Sequence, residues 1–463
     1  MVRIFHAYFP IRTLLLALAD ALVIVIGLTA GAIFVYGAGH SAAFAYGDIL
    51  PKIAVAGIVC MLCIHYFDLY SSEVVADSRE VATRLSQVVG TCAIILAILY
   101  YVYPGLKLHH RILFTGMILV GTLLIACRKL FFLLNGVARL NQRVVLLAGD
   151  PLAVSLAEEF RCRPELGIQT LGYIGDASDV APMHSSLRRL GDFDDLADLV
   201  EQKRIDRVIV TMNERRGRLP LEPLLDLKSR GIRVEDGAEV YESVTGRIRL
   251  DSLRLSQLVF SDGFRVSDIK LLYKRGISIA LSLVSLLLML PYMLVIAIAI
   301  RLDSPGPALF RQKRIGKNGK VFTLYKFRSM RVDADQDGFP RPVEKDDQRL
   351  TRVGRWLRRS RMDELPQLYN ILRGDMYFIG PRPFVVEQER ELARQIPYYR
   401  YRWTVKPGAT GWAQMHRGYC STLDDNTEKL AYDLYYIKNV SVGLDLLILF
   451  ETVKILLLGR GSR

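Results

Sequence analysis

Four apolar runs at the start of the chain constrain its fold more than any other feature. They lie at about 13–36, 49–67, 88–105 and 111–134, and each approaches the roughly 20 residues that an α-helix needs to cross about 30 Å of hydrocarbon. The first run is too long for a signal-peptide core and three more follow it, so we predict no cleaved leader. The pattern predicts four transmembrane helices within residues 1–140.

Basic residues predict how these helices are oriented, because loops rich in Lys and Arg stay on the cytoplasmic side. Arg3 and Arg12 precede the first run, whereas the 37–48 loop contains neither Lys nor Arg. Four more basic residues lie in the last seven residues of the fourth run or after it: Arg128, Lys129, Arg139 and Arg143. Both ends of the helical region are therefore predicted to be cytoplasmic. Asp20 lies inside the first run, where an acid is costly, and we assign it no role.

The composition excludes several classes of protein and predicts anionic partners. Of 463 residues, 51% are hydrophobic and 23% are charged, which excludes a disordered chain, a collagen-like fibre and a disulfide-rich module. The net charge is +14, and residues 301–463 hold 30 Lys and Arg against 19 Asp and Glu. We expect phosphates, nucleotides or anionic lipid headgroups as partners, and no nucleic acid, because no reading motif is present. Cys60 and Cys63 are expected to pack as apolar residues.

Residues 141–265 alternate between predicted strands and helices, which is typical of a parallel, doubly wound sheet. The first strand leads into the turn Ala148-Gly149-Asp150, where such folds hold a pyrophosphate. Only one glycine is present there, and Asp150 would repel a phosphate at the N-terminus of the next helix. We therefore expect a regulatory or oligomerisation module and not a dinucleotide site.

A fifth apolar run, Gly276–Ile300, has basic residues on both sides and opens the third predicted domain, residues 266–463. A true span would place the basic C-terminal third outside the cell, against the positive-inside rule. Pro291 lies within the run, and a proline bends a helix because it removes a backbone hydrogen bond. We predict a re-entrant helix that kinks at Pro291 and returns to the same membrane face.

The chemistry is predicted around two adjacent carboxylates, Asp363 and Glu364. Five arginines precede them: Arg352, Arg355, Arg358, Arg359 and Arg361. One carboxylate can attack phosphorus while the other holds a divalent cation, and arginines neutralise phosphate charge. Alone, however, the same residues also fit the first turn of a helix beside a solvent- or lipid-facing basic surface, and both interpretations stay open at this point.

The motifs from Lys274 to the C-terminus resemble, in order, those of the bacterial sugar transferases, the monotopic polyprenyl-phosphate phosphoglycosyl transferases. The motifs are Leu309–Gly316, Phe322–Met330, Ser360–Leu368 with Gly374–Met376, Gly380–Pro383, Lys406–Gln414 and Tyr435–Asn439. With the four helices and a Rossmann-like module in front, the chain resembles the large form that initiates exopolysaccharide or O-antigen synthesis.

This resemblance implies an activity and its residues. Asp363 would attack the phosphate next to the sugar of a UDP-sugar and release UMP, and Glu364 would bind Mg²⁺. The sugar phosphate would then pass to undecaprenyl phosphate. By motif position, phosphate groups would contact Lys326, Arg358 and Arg382, while Lys406 and Gln414 would line the nucleotide side. After Gln414 the family usually has a hydrophobic-Asn-Gly-Arg run, whereas this chain has Met415-His416-Arg417-Gly418, so no sugar or base contact is assigned there.

The expected architecture is a four-helix transmembrane bundle, a Rossmann-like doubly wound cytoplasmic domain and a catalytic domain anchored by the re-entrant helix. The expected location is the bacterial inner (cytoplasmic) membrane, multi-pass, with the catalytic domain in the cytoplasm, in contact with membrane lipid and as a homodimer. Two alternatives remain open. One is a glycosyltransferase that moves the sugar alone and releases UDP, and the other is a non-enzymatic scaffold for polysaccharide assembly.

Overall fold

The computed structural model divides the chain into two compact units, one of Met1–Val2 and Tyr8–Val240 and the other of Arg3–Ala7 and Tyr241–Arg463. It describes the following residues: 2–4, 7–36, 49–70, 78–135, 141–148, 150–175, 187–212, 219–253, 264, 267–332, 347–416 and 422–457. Several sequence predictions concern positions outside these ranges: the 37–48 loop, Arg139, Gly149 and Arg417-Gly418. The predicted domain boundaries near 140 and 265 also fall there and stay predictions.

The first unit begins with apolar helices, as the sequence predicts. Two short strands, β1 (Val2–Ile4) and β2 (Ala7–Phe9), precede four long helices: α1 (Ile11–Tyr36), α2 (Ile49–Tyr66), α3 (Ser78–Val102) and α4 (His110–Asn135). All four are long and apolar enough to cross a membrane. Helix α3 starts ten residues before its apolar run, because hydropathy does not detect a polar first segment, which Arg84 and Glu80 stabilise by an i,i+4 ion pair.

Helices α1 and α4 pack closely because glycines face each other across their contact. A β-carbon at Gly31 would lie 2.8 Å from the Gly116 main chain, and one at Gly27 would lie 2.6 Å from the Val120 side chain. Gly27 and Gly31 form the small-xxx-small pattern that allows two membrane helices to approach. The sequence contained this signal, and our prediction did not use it.

A buried ion pair connects the same two helices. Both carboxylate oxygens of Asp20 accept hydrogen bonds from Arg128 on α4, at 2.8 and 2.7 Å, and both side chains are almost fully buried. Asp20 and Gly31 of α1 meet Arg128 and Gly116 of α4 in reverse order, so the helices run antiparallel. The acid left unassigned by sequence therefore bonds a neighbouring helix. Arg128, which the charge pattern assigns to the cytoplasmic flank of the fourth run, belongs to the helix interior.

The rest of this unit contains the predicted parallel sheet. Its five strands are β3 (Gln142–Leu147), β4 (Ile168–Ile174), β5 (Arg189–Gly191), β6 (Arg207–Val210) and β7 (Arg233–Asp236). They pair in the order β5-β4-β3-β6-β7, all parallel, so the order reverses at β3 as in a doubly wound fold. Only the short edge strand β5 was not predicted. The helices are α5 (Pro151–Cys162), α6 (Leu196–Lys203), α7 (Leu221–Ser229) and α8 (Gly237–Thr245), of which α8 continues into the second unit from Tyr241.

The N-terminus of α5 is capped by a carboxylate of the chain itself. Asp150 Oδ1 accepts hydrogen bonds from the N–H groups of Leu152 and Ala153, at 3.2 and 3.1 Å. These donors are the ones that a phosphate would use at a helix N-terminus, so this turn favours a cap over an anion site. The expectation that the domain binds no dinucleotide stays a prediction.

The second unit contains a 36-residue apolar helix, α9 (Asp268–Asp303), which continues through Pro291. Its strands are β8 (Leu309–Ile315), β9 (Val321–Phe327), β10 (Tyr377–Ile379) and β11 (Gly408–Thr410), of which β8 and β9 form an antiparallel hairpin and β10 and β11 a parallel pair. Its other helices are α10 (Arg352–Ser360), α11 (Gln367–Arg373), α12 (Val386–Gln395), α13 (Trp412–His416), α14 (Leu423–Lys438) and α15 (Val442–Leu457). The kink and the re-entrant path of α9 stay predictions.

Candidate functional site

The two adjacent carboxylates lie at a sharp break between helices. Helix α10 ends at Ser360, and Arg361 adopts a left-handed backbone conformation (φ 56°, ψ 17°) before the 3-10 turn Met362–Glu364. A non-glycine residue in that conformation costs on the order of 1 kcal/mol, which the surrounding structure must supply. The break buries Asp363, which is only 8% exposed.

Glu364 is the centre of the carboxylate cluster, which consists of Asp363, Glu364, Lys326 and Arg382. Its Oε1 atom accepts hydrogen bonds from Lys326 Nζ at 2.8 Å and from Arg382 Nη2 at 2.7 Å. Lys326 Nζ also lies 3.7 Å from Asp363 Oδ2. Helix α11 begins at Gln367 without a side-chain cap, so these carboxylates bind cations and do not cap the helix that follows them.

The environment shifts the pKa values of Asp363 and Glu364 in opposite directions. Burial raises the pKa of Asp363, and neighbouring Glu364 adds to that rise, although Lys326 opposes it. Burial also disfavours the ionised form of Glu364, but Arg382 and Lys326 together outweigh burial and hold the pKa of Glu364 well below its usual range. Adjacent carboxyl groups with diverging pKa values are typical of sites where the two groups have different roles.

Lys326 is held in place through its strand. The fully buried side chain of Asn370 on α11 accepts a hydrogen bond from the Tyr325 N–H at 3.0 Å and donates one to the Thr323 carbonyl at 2.7 Å. The Asn370 side chain thus pairs with two main-chain groups of β9, one on each side of the middle residue of the strand. The strand is thereby fixed against α11, and Lys326 follows directly after the bonded residue Tyr325.

The four arginines on α10 differ in their environment. Arg352, Arg355 and Arg359 are exposed. Arg358 points inward, and its Nε donates to Ser329 Oγ at 2.9 Å. It also lowers the pKa of Asp363, although less than burial raises it. Of these four arginines, Arg358 is therefore the one that acts on Asp363.

Arg382 reaches Glu364 from a turn in which glycines are sterically required. A β-carbon at Gly380 would lie 2.6 Å from the Lys406 carbonyl oxygen, and one at Gly408 would lie 2.1 Å from the Gly380 nitrogen. A β-carbon at Gly411 would lie 2.2 Å from the Gly380 carbonyl oxygen. The motifs Gly380–Pro383 and Lys406–Gln414 therefore pack main chain against main chain, which positions the turn that carries Arg382.

The remaining predicted residues lie outside the direct contacts of the carboxylates. Lys406 Nζ lies over the ring of Tyr377, 5.2 Å from its centroid, and burial together with Arg275 and Lys317 lowers the pKa of Lys406. Gln414 donates through Nε2 to the Ala409 carbonyl, while its Oε1 is buried and has no partner among the described residues. Pro291 lies within α9.

The structure also identifies supporting residues that sequence reasoning missed. Asn370, Ser329 and Arg402 bond to the segments that carry Lys326, Arg358 and Arg382 respectively. The clearest overlooked signal was the aromatic context of Arg402, which lies in Tyr398-Tyr399-Arg400-Tyr401-Arg402-Trp403. An arginine among aromatic residues is a candidate for burial with cation–π contacts.

Comparison with known proteins gives two family matches. Residues 269–459 match the family model described as bacterial sugar transferase, and residues 65–219 match one described as CoA-binding domain. The first match contains the whole carboxylate cluster, and the second contains most of the parallel sheet.

Three relatives illustrate the similarity. The chain is 43% identical over 225 residues to a UDP-N-acetylgalactosamine-undecaprenyl-phosphate N-acetylgalactosaminephosphotransferase of Aeromonas hydrophila, covering 49% of this chain and 52% of that protein. It is 35% identical over 316 residues to the UDP-glucose:undecaprenyl-phosphate glucose-1-phosphate transferase of Escherichia coli (strain K12), covering 68% and 67%. It is 44% identical over 189 residues to the exopolysaccharide production protein PSS of Rhizobium leguminosarum bv. phaseoli, covering 40% and 94%.

Proposed function

The chain belongs to the bacterial sugar transferase family, a family of transferase enzymes, and from this premise we propose that it transfers a sugar 1-phosphate from a UDP-sugar to undecaprenyl phosphate and releases UMP. The relatives' names supply the class of donor and acceptor but differ in the sugar. The observation that carries the proposal is the convergence of Lys326 and Arg382 on the Asp363-Glu364 pair, inside the segment that matches the family model.

The proposed reaction has two steps. An oxygen of the Asp363 carboxylate attacks the phosphorus next to the sugar, the bond to the bridging oxygen breaks, and UMP leaves with that oxygen. A phosphate oxygen of undecaprenyl phosphate then attacks the phosphorus of the acyl phosphate, which releases the Asp363 carboxylate and forms the lipid diphosphate sugar. Covalent catalysis of this kind divides one difficult displacement into two easier ones.

Lys326 and Arg382 would stabilise the negative charge that develops on the transferred phosphoryl group. Before substrate binds, both donors are satisfied by Glu364. A diphosphate entering the site offers them further oxygen acceptors, so the pre-organised cations are held close to where they are needed. Arg358, which acts electrostatically on Asp363, adds a third positive charge.

Glu364 is proposed as the protein ligand for Mg²⁺. The pair Asp363-Glu364 offers only oxygen atoms, which Mg²⁺ prefers, and the described residues contain no group of three or more His, Cys, Asp or Glu that could hold a metal. One or two carboxylates plus substrate phosphates and water are the usual ligands of Mg²⁺ in such sites, so the donor set fits. When bound, the ion would neutralise charge on the diphosphate.

The contacts of α9 support the proposed re-entrant path. Near its start, Lys274 Nζ donates to Asp445 Oδ2 at 2.7 Å. Near its end, Ile300 packs with Leu357, and Asp303 accepts a hydrogen bond from the Val353 N–H at 2.9 Å. Both ends of the helix thus contact the same unit, while apolar side chains between them are exposed: Leu283, Val284, Leu287 and Leu288. We propose that this unit lies at the cytoplasmic face of the inner membrane.

The proposal is tested with purified protein in lipid nanodiscs with Mg²⁺, undecaprenyl phosphate and a panel of UDP-sugars. We expect UMP release with one donor, and one UMP per active enzyme when the acceptor is omitted. Asp363→Asn should abolish both, whereas Asp424→Asn, at an exposed aspartate on α14, should change neither. Release of UDP would instead support a glycosyltransferase, and release of no nucleotide from any donor would support a scaffold.

A further inference from the structure

Charged side chains hold the main chain at three consecutive residues, Arg382, Pro383 and Phe384. Arg402 Nη2 donates to the Arg382 carbonyl oxygen at 2.9 Å. Arg314 Nη1 donates to the Pro383 carbonyl oxygen at 2.9 Å. Glu389 Oε1 accepts a hydrogen bond from the Phe384 N–H at 3.2 Å. Each of these residues therefore has a main-chain polar group bonded to a different ionised side chain.

Arg402 is itself fixed from several directions. It is buried, and its other donors bond Asp433 Oδ2 at 2.8 Å, Glu389 Oε1 at 3.0 Å and the Tyr399 hydroxyl oxygen at 2.6 Å. Its guanidinium carbon also lies 5.0 Å from the centroid of the Phe384 ring. A planar guanidinium that makes this many contacts has lost its rotational freedom, so the donor toward Arg382 has a defined position.

Glu389 makes the hydrogen-bond network around Arg402 more rigid. Glu389 joins Arg402 to the Phe384 N–H through Oε1, and its Oε2 accepts a hydrogen bond from Trp403 Nε1 at 2.9 Å. Burying one cation between two carboxylates has a large desolvation cost, and packed apolar residues of similar volume often give equal or better stability. Stability alone therefore does not account for Arg402 and Glu389, since each also bonds the main chain at Arg382 or at Phe384.

We propose that Arg402 is a positioning residue for Arg382, holding the main chain of the turn so that the Arg382 guanidinium reaches Glu364 and the transferred phosphate. This inference rests on the proposed function and deepens it. When the Cα of an arginine shifts, its guanidinium group is displaced with it. A displacement of a catalytic group by about 1 Å can lower a rate by about a hundredfold. Arg402 has no hydrogen bond to Asp363 or Glu364 among the described contacts, and its bond to the Arg382 carbonyl oxygen is the route by which it would act on them.

A double-mutant cycle with Arg402→Lys and Arg382→Ala tests this inference. Lysine keeps the charge but cannot make the set of bonds that the guanidinium makes. We expect Arg402→Lys to lower the rate of nucleotide release by about tenfold or more in the wild-type background, and by less than about threefold in the Arg382→Ala background. A loss of the same factor in both backgrounds would overturn the proposal, because a general effect on folding does not depend on Arg382.

Arg247→Lys is the matched control, since Arg247 pairs with Glu428 elsewhere in the same unit. It should leave nucleotide release within about twofold of wild type and add independently to Arg382→Ala. If Arg402→Lys does not fold, Arg314→Lys enters the same cycle through Pro383, and equal losses in both backgrounds would again overturn the proposal. The cycle uses total nucleotide released, so release of UDP in place of UMP would contradict the proposed function while the Arg402 test still stands.

Discussion

Gly354 packs directly against the main chain of Ser329: a β-carbon at Gly354 would lie 1.9 Å from the Ser329 carbonyl oxygen. Ser329 follows the strand that carries Lys326, and Gly354 belongs to the helix that leads to Asp363. The close approach of the two segments therefore sets how far the lysine lies from the carboxylates. Arg358 Nε reinforces the contact by donating to Ser329 Oγ.

Replacing Gly354 with alanine should separate these segments. Since the neighbouring atoms are main chain and cannot rotate away, we expect Gly354→Ala to lower the free energy of unfolding by about 1–3 kcal/mol and to reduce nucleotide release. Gly276→Ala is the control, because a β-carbon there meets nothing within 4 Å. Thermal unfolding and nucleotide release measured together test this, and equal behaviour of the two variants would contradict it.

The raised pKa of Asp363 predicts where activity is lost in acid. A carboxylate attacks phosphorus only when it is ionised, so the rate of UMP release should be maximal above the pKa of Asp363 and fall as the pH drops through that pKa. Because burial raises the pKa of Asp363, this acidic limb of the pH–rate profile should lie above the usual aspartate pKa of about 3.9. The limb is best measured by single-turnover UMP release without acceptor.

Removing the cation beside Asp363 should move this limb further. Lys326 favours the ionised form of Asp363, so Lys326→Gln should shift the acidic limb to higher pH as well as lower the maximal rate. Lys438→Gln provides the control, because Lys438 pairs with Glu242 away from the cluster. An acidic limb that stays in place in Lys326→Gln would exclude this electrostatic coupling.

Glu364→Gln should reduce both the rate and its dependence on Mg²⁺. The amide keeps the size of the side chain but loses the charge that pairs with Lys326 and Arg382 and that would attract the ion. Titrating nucleotide release with Mg²⁺ checks the prediction. If Glu364→Gln and wild type reached half-maximal rate at the same Mg²⁺ concentration, the ligand role would be wrong.

The Asp20–Arg128 pair predicts an asymmetric response to mutation. Asp20→Asn alone leaves Arg128 buried without its counter-charge, and breaking a buried pair in this way costs about 3–5 kcal/mol. The double variant Asp20→Leu with Arg128→Met removes both charges, and we expect it to recover most of that loss. Thermal unfolding in detergent tests this, and a double variant as unstable as the single one would show that the pair does more than neutralise charge.

The proposed re-entrant path of α9 predicts that both of its ends face the same compartment. Single cysteines at Lys270 and Leu302, in a background without native cysteines, should both react with a membrane-impermeant maleimide in inside-out vesicles. Neither should react in intact spheroplasts. Labelling of the two positions from opposite sides would identify a true span and would place the carboxylate cluster outside the cytoplasm.

Much of the architecture follows from local patterns. Helices α1, α2 and α4 lie within two residues of their apolar runs, because a helix long enough to cross a membrane needs about 20 predominantly apolar residues in succession. The parallel, doubly wound sheet follows from alternating strand and helix signals, whereas the strand order β5-β4-β3-β6-β7 comes from the structure. The short edge strand β5 escaped prediction because three residues carry too little pattern.

The residues of the candidate site were identified by their motifs, but their partnerships were decided by packing. Sequence placed Lys326, Glu364 and Arg382 in three separate motifs and assigned the lysine and arginine to phosphate, whereas the structure brings both onto one oxygen of Glu364. Such contacts depend on main-chain approaches like those of Gly380 with Gly408 and Gly354 with Ser329. Hydropathy and helix or strand propensity are properties of neighbouring residues and therefore determine the elements. The pairing of distant charges depends on how closely those elements pack, which only the tertiary structure specifies.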